Sequence, residues 1–189
     1  MQSSEKSKSN ELKKAAQIIQ KGGVIIFPTD TVYGIGCRYD NEIGVARIRR
    51  IKGSLQNFPI LVRDIKEAHH FAKFTNVATD LSSRYWPGPL TLILQSQKAE
   101  QRVALRIPDS NLVKSLIEKS GFAIIGTSAN FHGQKTPTTF AQIDKKLLKK
   151  ADFSIKGICK YKKESTVVDA TIDPPKILRR GASLYGFEN

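Results

Sequence analysis

Short apolar segments alternate with amphipathic segments along most of this chain, and this alternation constrains the fold more than any other feature of the sequence. The short segments are bounded by Gly, Pro or polar residues, which is the pattern of buried strands. Between them, apolar residues recur at helical spacing. Strands interleaved with helices predict an α/β fold. Because some strands are joined by connections too short for a parallel crossover, the sheet is predicted to be mixed.

The predicted elements follow one another without an internal repeat or a linker. Strands are predicted at 24–27, 59–62, 89–94, 103–107, 122–126, 166–171 and 176–178. Helices are predicted from Asn10 as N-cap, around 45–51, from Asp64, over 112–117 and near 139–150. Residues 1–9 are rich in Ser, Lys and Gln and are predicted to form a flexible tail. A chain of 189 residues can bury one large core, so a single domain over 1–189 is expected.

The charge balance predicts a surface that attracts polyanions. Lys and Arg number 31 against 17 Asp and Glu, a formal net charge of +14, which makes nucleotides and RNA candidate partners. Clustered lysines, such as those within 145–150, could equally solvate a helix face. Only Cys37 and Cys159 are present, without the spacing of a zinc site or a disulfide framework, so both are expected to be reduced thiols.

Apolar runs in this sequence are short. None approaches the ~20 residues of a membrane helix, and the polar start is unlike a signal peptide. A cytoplasmic protein is therefore expected.

Polar side chains gather where predicted strands end. The segment 29–31 follows the strand at 24–27, and the segment 127–130 follows the strand at 122–126. Isolated cations accompany them: Lys52, Arg106 and Arg179. Phosphates need charge-assisted donors, and Arg can hold a carboxylate with two parallel hydrogen bonds. The pattern therefore favours an anionic small molecule as ligand, although no glycine-rich phosphate motif of the common nucleotide folds follows a strand.

Arg106 is the most informative of these cations because it lies in an otherwise apolar strand. A buried arginine needs a partner, and no acidic residue is near in sequence until Asp109, so a ligand carboxylate is the expected partner. Other polar residues have simpler readings. Thr31 could bond its own turn, and Ser165 could simply begin a strand.

Two further features favour structural roles. The three histidines include the adjacent pair His69 and His70, whose side chains diverge on a helix, and a structural or solvated role is expected for them and for His132. The Trp-Pro-Gly-Pro segment at 86–89 indicates a rigid turn with a packed indole rather than a catalytic element.

Four motifs occur in an order that resembles a known family. They are Pro-Thr-Asp-Thr-Val-Tyr-Gly at 28–34, Trp-Pro-Gly-Pro-Leu-Thr at 86–91, Thr-Ser-Ala-Asn at 127–130 and Ser-Thr-Val-Val-Asp at 165–169. In this order they resemble the YrdC-like, TsaC-type threonylcarbamoyl-AMP synthases, over most of the chain from about Leu12 to Gly181. The resemblance is to the short, single-domain form. It implies an open twisted mixed sheet with flanking helices and a large basic concave cavity.

The resemblance also implies roles for individual residues. Threonine would be bound by Thr29, Thr31, Tyr33, Arg106 and Ser165. ATP would be bound by Lys52, Ser128, Asn130 and Arg179. The sequence departs from the family twice: Ser54 stands where the family has an arginine, and Arg180 stands where a proline usually follows Arg179. Arg49, Arg50 or Arg63 could replace the missing arginine, and the sequence leaves the choice open.

The activity implied by the resemblance is formation of threonylcarbamoyl-AMP and diphosphate from L-threonine, bicarbonate or CO2, and ATP. Transferase proteins would then pass the group to an adenosine of tRNAs that read codons starting with A. Nucleophile and leaving group both belong to substrates, so no protein nucleophile is expected, and Mg2+ would bind through the ATP phosphates and water. Two alternatives stay open: a non-catalytic module that binds double-stranded RNA or tRNA, and a carbamoyl-adenylate-forming domain like that of hydrogenase maturation proteins.

Overall fold

The computed structural model describes residues 2–53 and 57–182, with side chains from residue 7 onward. The helices are α1 (Gln2–Gln20), α2 (Glu42–Lys52), α3 (Ile65–Phe71), α4 (Asn76–Tyr85), α5 (Asn111–Ser120) and α6 (Lys145–Leu148), with a 3-10 turn at Phe140–Gln142. The strands are β1 (Ile25–Pro28), β2 (Tyr33–Arg38), β3 (Ile60–Leu61), β4 (Ala72–Lys73), β5 (Leu90–Ser96), β6 (Arg102–Arg106), β7 (Ile124–Ser128), β8 (Phe153–Ser154), β9 (Thr166–Asp169) and β10 (Lys176–Arg179). None of the helices in these residues is long and apolar enough to cross a membrane.

The strands of the described residues join one mixed sheet. Their order is β10-β9-β5-β6-β3-β7-β2-β1-β8, and β4 pairs with β5 beside this path. Strands β1, β2 and β7 run antiparallel in succession, whereas β3 with β6 and β5 with β9 are parallel. The predicted mixed α/β sheet with flanking helices is confirmed.

Helices cover both faces of the sheet around β1, β2 and β7. On one face, α1 and α5 pack against a cluster that includes Phe27 and Ile124. On the other face, α2 and α6 pack against a cluster that includes Ile26 and Ile35. This part of the sheet is therefore a buried layer.

Among the described residues, helices cover only one face of the part of the sheet formed by β5, β6 and β9. Leu92 and Leu105 point into the core beneath α3 and α4. Because side chains alternate along a strand, their neighbours Thr91 and Arg106 point to the opposite face, where they line a cleft. The uncovered face is the place where a ligand can reach the sheet.

Helix α2 carries Lys52 to the edge of this cleft. Its N-cap is Asn41, whose side chain accepts a hydrogen bond from the Gly44 backbone N–H. The helix ends at Gly53, as predicted, because this residue has the left-handed φ of 60° that glycine adopts without a steric cost.

Several predicted element boundaries are wrong. Helix α1 begins at Gln2, so Asn10 is not its cap, and residues 2–9 belong to the helix. Their Lys, Glu and Gln residues have good helix propensity. The predicted helix near 139–150 is divided into the 3-10 turn and the short α6, and β7 runs two residues further than its predicted end at 126.

Helix α4 and strands β2, β4 and β8 are absent from the predicted elements. The omission of β2 has a physical reason: two glycines interrupt its apolar pattern. Gly36 is required there because a Cβ at this position would collide with the carbonyl oxygen of Ile125 on β7.

Candidate active site

The cleft on the uncovered face contains two adjoining basins. The inner basin is lined by Thr29, Thr31, Thr91, Arg106, Glu164 and Ser165, among others. The middle basin is lined by Lys52, Asn57, Phe58, Ala104, Asn130 and His132, among others. Ser128 and Arg179 line both basins. A ligand in one basin would therefore lie against a ligand in the other.

Arg106, at the end of β6, is 5% exposed and is held by three hydrogen bonds. Its Nε donates to the Gly88 carbonyl at 3.0 Å, its Nη1 to Thr31 Oγ1 at 2.9 Å, and its Nη2 to Asp30 Oδ1 at 2.5 Å. The expectation that Arg106 lacks a protein carboxylate is wrong, because Asp30 approaches it from a loop 76 residues away in sequence. The other Asp30 oxygen, Oδ2, is buried without a hydrogen-bond partner among the described residues.

The loop after β1 places Thr29 and Thr31 beside this guanidinium. The Thr29 hydroxyl donates to the Val32 carbonyl at 2.7 Å and accepts from the backbone N–H groups of Thr31 and Val32. Thr29 therefore fixes its own turn, the role that the sequence had offered for Thr31. Thr31 also bonds within this turn, because its hydroxyl lies 2.9 Å from that of Thr29, and it accepts from Arg106 as well.

Ser165 immediately precedes β9, and its side chain lines the inner basin. Its hydroxyl lies 2.8 Å from that of Thr91 on β5, and Arg179 Nη2 donates to it at 3.2 Å. Arg179 also donates to the Ser165 carbonyl from Nε and Nη2, and its Nη1 is 3.5 Å from Glu164 Oε2. The ends of β9 and β10 are thus tied together at the point where the two basins meet.

Lys52 is 7% exposed and holds the turn that follows β7. Its Nζ donates to the Asn130 carbonyl and to Asn130 Oδ1, both at 2.7 Å, and to the Ser128 carbonyl at 2.8 Å. An ammonium has three N–H donors, so these acceptors satisfy it in the absence of a ligand. Burial lowers the pKa of Lys52 to about 8, and the Glu164 carboxylate opposes that shift.

Tyr33 is separate from the other residues named for threonine. It is fully buried, and neither the inner nor the middle basin includes it among its lining residues. Its hydroxyl donates to the Gly157 carbonyl at 2.7 Å and accepts from the Gly157 N–H at 2.8 Å, while burial raises its pKa. The contacts of Tyr33 fix the segment around Gly157 against β2.

The segment 86–89 forms the turn that the sequence indicated. The Trp86 indole N–H donates to the Leu90 carbonyl at 2.7 Å, and its ring packs against Phe74. The same turn presents the Gly88 carbonyl to Arg106. It therefore supports the inner basin without needing a side chain there.

Asp30, Thr91 and Glu164 belong to the site but were not among the residues named from the sequence. Asp30 and Thr91 lie inside the motifs at 28–34 and 86–91, so their position in these motifs could have identified them as site residues. Glu164 accepts from the Thr136 hydroxyl at 2.9 Å as well as contacting Arg179. For Glu164, the sequence offered one signal, its position next to Ser165. His132, expected to be structural or solvated, lines the middle basin.

The cations offered as replacements for the missing arginine differ in position. Ser54 itself lies outside the described residues. Arg50 is exposed, and Arg63 donates to the adjacent Asp64 at 3.0 Å with 43% of its side chain exposed. Arg49 is half-buried and donates to Asn57 Oδ1 at 3.2 Å.

The side chains of the cleft fit an Mg2+ that arrives with a nucleotide. Within residues 2–53 and 57–182, no group of three or more His, Cys, Asp or Glu side chains could hold a metal by itself. Mg2+ characteristically keeps water and substrate phosphates as ligands with one or two carboxylates. Glu164 is the carboxylate that lines the inner basin.

The fold and the site together define an α/β protein whose open sheet face carries a cleft lined by Lys52, Arg106 and Arg179. Comparison with known proteins identifies the family of this chain. The family model for Sua5, YciO and YrdC, described as "Telomere recombination", matches residues 17–181. The chain therefore belongs to the Sua5/YciO/YrdC family.

Some relatives are named threonylcarbamoyl-AMP synthase, and others are named YciO. A Methanocaldococcus jannaschii protein provisionally named threonylcarbamoyl-AMP synthase is 36% identical, over 90% of this chain and 87% of its own length. The crystal structure of Escherichia coli YciO superposes with a TM-score of 0.84 at 30% identity, covering 92% of this chain and 90% of that one. The structure of Pyrococcus abyssi Sua5 complexed with L-threonine has a TM-score of 0.84 at 34% identity, covering 90% of this chain and 54% of that one.

Proposed function

We propose that this protein forms L-threonylcarbamoyl-AMP and diphosphate from L-threonine, bicarbonate or CO2, and ATP. The observation that carries the proposal is the meeting of the two basins at Ser128 and Arg179. An amino acid in the inner basin and a nucleotide in the middle basin would have their reacting groups side by side there. The names of the M. jannaschii and P. abyssi relatives support the same activity.

Arg106 is the proposed anchor for the threonine carboxylate. A guanidinium has five N–H donors, and three hydrogen bonds to protein acceptors leave two for a ligand. The bonds to Asp30, Gly88 and Thr31 fix the plane of the guanidinium before a ligand arrives. Such preorganisation orients an amino acid as well as binding it. The hydroxyls of Thr91 and Ser165 stand in the same basin as further donors or acceptors.

The proposed reaction has two bond-forming steps. The threonine ammonium group loses one proton to become an amine. Its nitrogen then adds to CO2 and loses a second proton, which gives a carbamate. A carbamate oxygen then attacks the α-phosphorus of ATP, and the bond from that phosphorus to the oxygen of diphosphate breaks. The nucleophile and the leaving group both belong to substrates, so the protein acts by aligning them and by neutralising charge.

The nucleotide is proposed to lie along the middle basin, with Ser128, Asn130 and Arg179 beside it. In this arrangement Lys52 shapes the nucleotide site by holding the turn at 128–130. Mg2+ would neutralise charge on the phosphates, with Glu164 as the candidate protein ligand. The product is a reactive mixed anhydride. Its proposed fate is transfer to a tRNA adenosine by partner transferases.

The test is diphosphate release by the purified full chain. Release is expected only when ATP, L-threonine and bicarbonate are all present, and Arg106→Gln is expected to abolish the response to threonine. Equal release without threonine would refute the proposal. Binding of RNA with no turnover of ATP under any condition would favour the non-catalytic alternative.

A further inference from the structure

The cations described so far already have protein acceptors. Lys52 is satisfied by the turn at 128–130, and Arg179 donates to Ser165 and approaches Glu164. Arg106 has three protein acceptors, and its two remaining donors are those proposed for the threonine carboxylate. A phosphate chain needs donors that are free to turn toward it. The terminal phosphates of a nucleotide therefore call for a further cation.

Arg49 has such donors. It lies on α2 one turn before Lys52, so the two side chains emerge from the same side of the helix. Its Nη2 donates to Asn57 Oδ1 at 3.2 Å, a long bond to a neutral acceptor. Its Nε is buried and has no hydrogen-bond partner among the described residues. A buried donor without an acceptor destabilises a fold, so it calls for an explanation such as a ligand.

Arg49 also lies beside the proposed nucleotide site. It lines a third cavity, here called the outer basin, together with Lys98, Arg102 and His70. The outer basin shares three lining residues with the middle basin: Asn57, Phe58 and Ala104. No acidic residue lines the outer basin among the described residues. The outer basin therefore adjoins the middle basin at these three residues and presents cationic side chains there.

We infer that Arg49 binds the terminal phosphates of ATP, the two that leave as diphosphate. The inference rests on the proposed function in taking ATP as the nucleotide. Arg49 is favoured over the other two candidates by position: Arg50 is exposed, and Arg63 is exposed and paired with Asp64. The planar guanidinium can bond two phosphate oxygens at once and neutralise charge that accumulates on the leaving diphosphate.

The test compares Arg49→Gln with Arg50→Gln, which removes the same charge from the next residue of the same helix. Calorimetric titrations measure binding of ATP, inorganic diphosphate and AMP. In Arg49→Gln, ATP and diphosphate should bind roughly tenfold to a hundredfold more weakly, whereas AMP, which lacks the terminal phosphates, should change by less than about threefold. Arg50→Gln should bind all three ligands like the unaltered protein. Unchanged affinity of Arg49→Gln for ATP and diphosphate, or an equal loss for AMP, would overturn the inference.

A second variant separates binding from folding. Arg49→Met removes the unsatisfied buried donor and keeps much of the side-chain volume, so its thermal midpoint without ligand should be at least that of the unaltered protein. A lower midpoint, with unaltered ATP affinity in the folded fraction, would make Arg49 a structural residue. The proposed function can fail separately: selective loss of diphosphate affinity in Arg49→Gln, without threonine-dependent turnover in the unaltered protein, would uphold the role of Arg49 and refute the synthase activity.

Discussion

Replacing Arg106 with lysine tests whether the guanidinium has a double role in the fold and in threonine binding. The three acceptors of Arg106 come from two separate parts of the chain: the Gly88 carbonyl from one, and the Thr31 hydroxyl and the Asp30 carboxylate from the other. An ammonium is compact and cannot span them as a planar fork does. Asp30 Oδ2 has no hydrogen-bond partner in the part of the chain that the structure describes, so a weaker contact at Oδ1 would leave this buried carboxylate poorly compensated.

The expected cost follows from these contacts. Losing one or more charge-assisted bonds should lower the free energy of unfolding of Arg106→Lys by about 1.5 to 3 kcal/mol. At about 2 to 4 °C per kcal/mol for a domain of this size, the thermal midpoint should fall by roughly 3 to 12 °C. The KM for threonine should rise roughly tenfold to a hundredfold because the carboxylate loses its planar partner, while the affinity for ATP should change by less than about threefold.

Scanning calorimetry measures the thermal midpoint and the loss of stability. Titration calorimetry with ATP and threonine-dependent diphosphate release, both carried out below the midpoint of the variant, measure the ATP affinity and the KM for threonine. Arg102→Lys is the matched control, because Arg102 lies on the same strand and pairs with Asp169 at 2.8 Å, but with 59% of its side chain exposed. The control should lose no more than about 1 kcal/mol and keep the KM for threonine. If Arg106→Lys kept both its midpoint and its KM, the account of Arg106 would be wrong. If it lost stability alone, Arg106 would be structural only.

Two further predictions concern Lys52 and Tyr33, whose polar atoms contact protein acceptors in the structure. Burial lowers the pKa of Lys52 from its ordinary 10.5 to about 8, so between these values the unfolded chain binds more protons than the folded chain. The contribution of Lys52 to the free energy of unfolding should therefore rise with pH across that window. Urea titrations should show this rise in the unaltered protein relative to Lys52→Met, and parallel pH profiles of the two proteins would contradict it. Tyr33→Phe breaks both hydrogen bonds to Gly157, so its free energy of unfolding, measured with urea, should fall by about 1 to 3 kcal/mol. Its KM for threonine should change by less than about threefold. A large rise in KM without a loss of stability would place Tyr33 at the substrate.

The sequence predicted the alternation of strands and helices well because apolar spacing reports burial directly. It failed at β2, where Gly34 and Gly36 interrupt the apolar pattern. The strand forms because close pairing with β7 requires the glycine at Gly36, and such a tertiary requirement is invisible in a local pattern.

The site was predictable as a set of motifs but not as a network of contacts. Thr29, Thr31, Arg106 and Ser165 do line one basin, yet the partner of Arg106 is Asp30, which no inspection of its sequence neighbours could reveal. Hydrogen bonds between distant segments are set by the fold. For the same reason, the resemblance that implied Lys52 as an ATP ligand could not show that its donors face Ser128 and Asn130.

The most direct test of the proposed synthase activity follows the carbon of bicarbonate into the nucleotide product. The full chain is incubated with ATP, L-threonine and isotope-labelled bicarbonate, and the nucleotide products are separated and analysed by mass spectrometry. The account predicts an AMP adduct that contains both threonine and the labelled carbon, formed in step with diphosphate and missing when threonine is omitted. Diphosphate released with unmodified AMP alone, or an adduct that lacks the label, would contradict it.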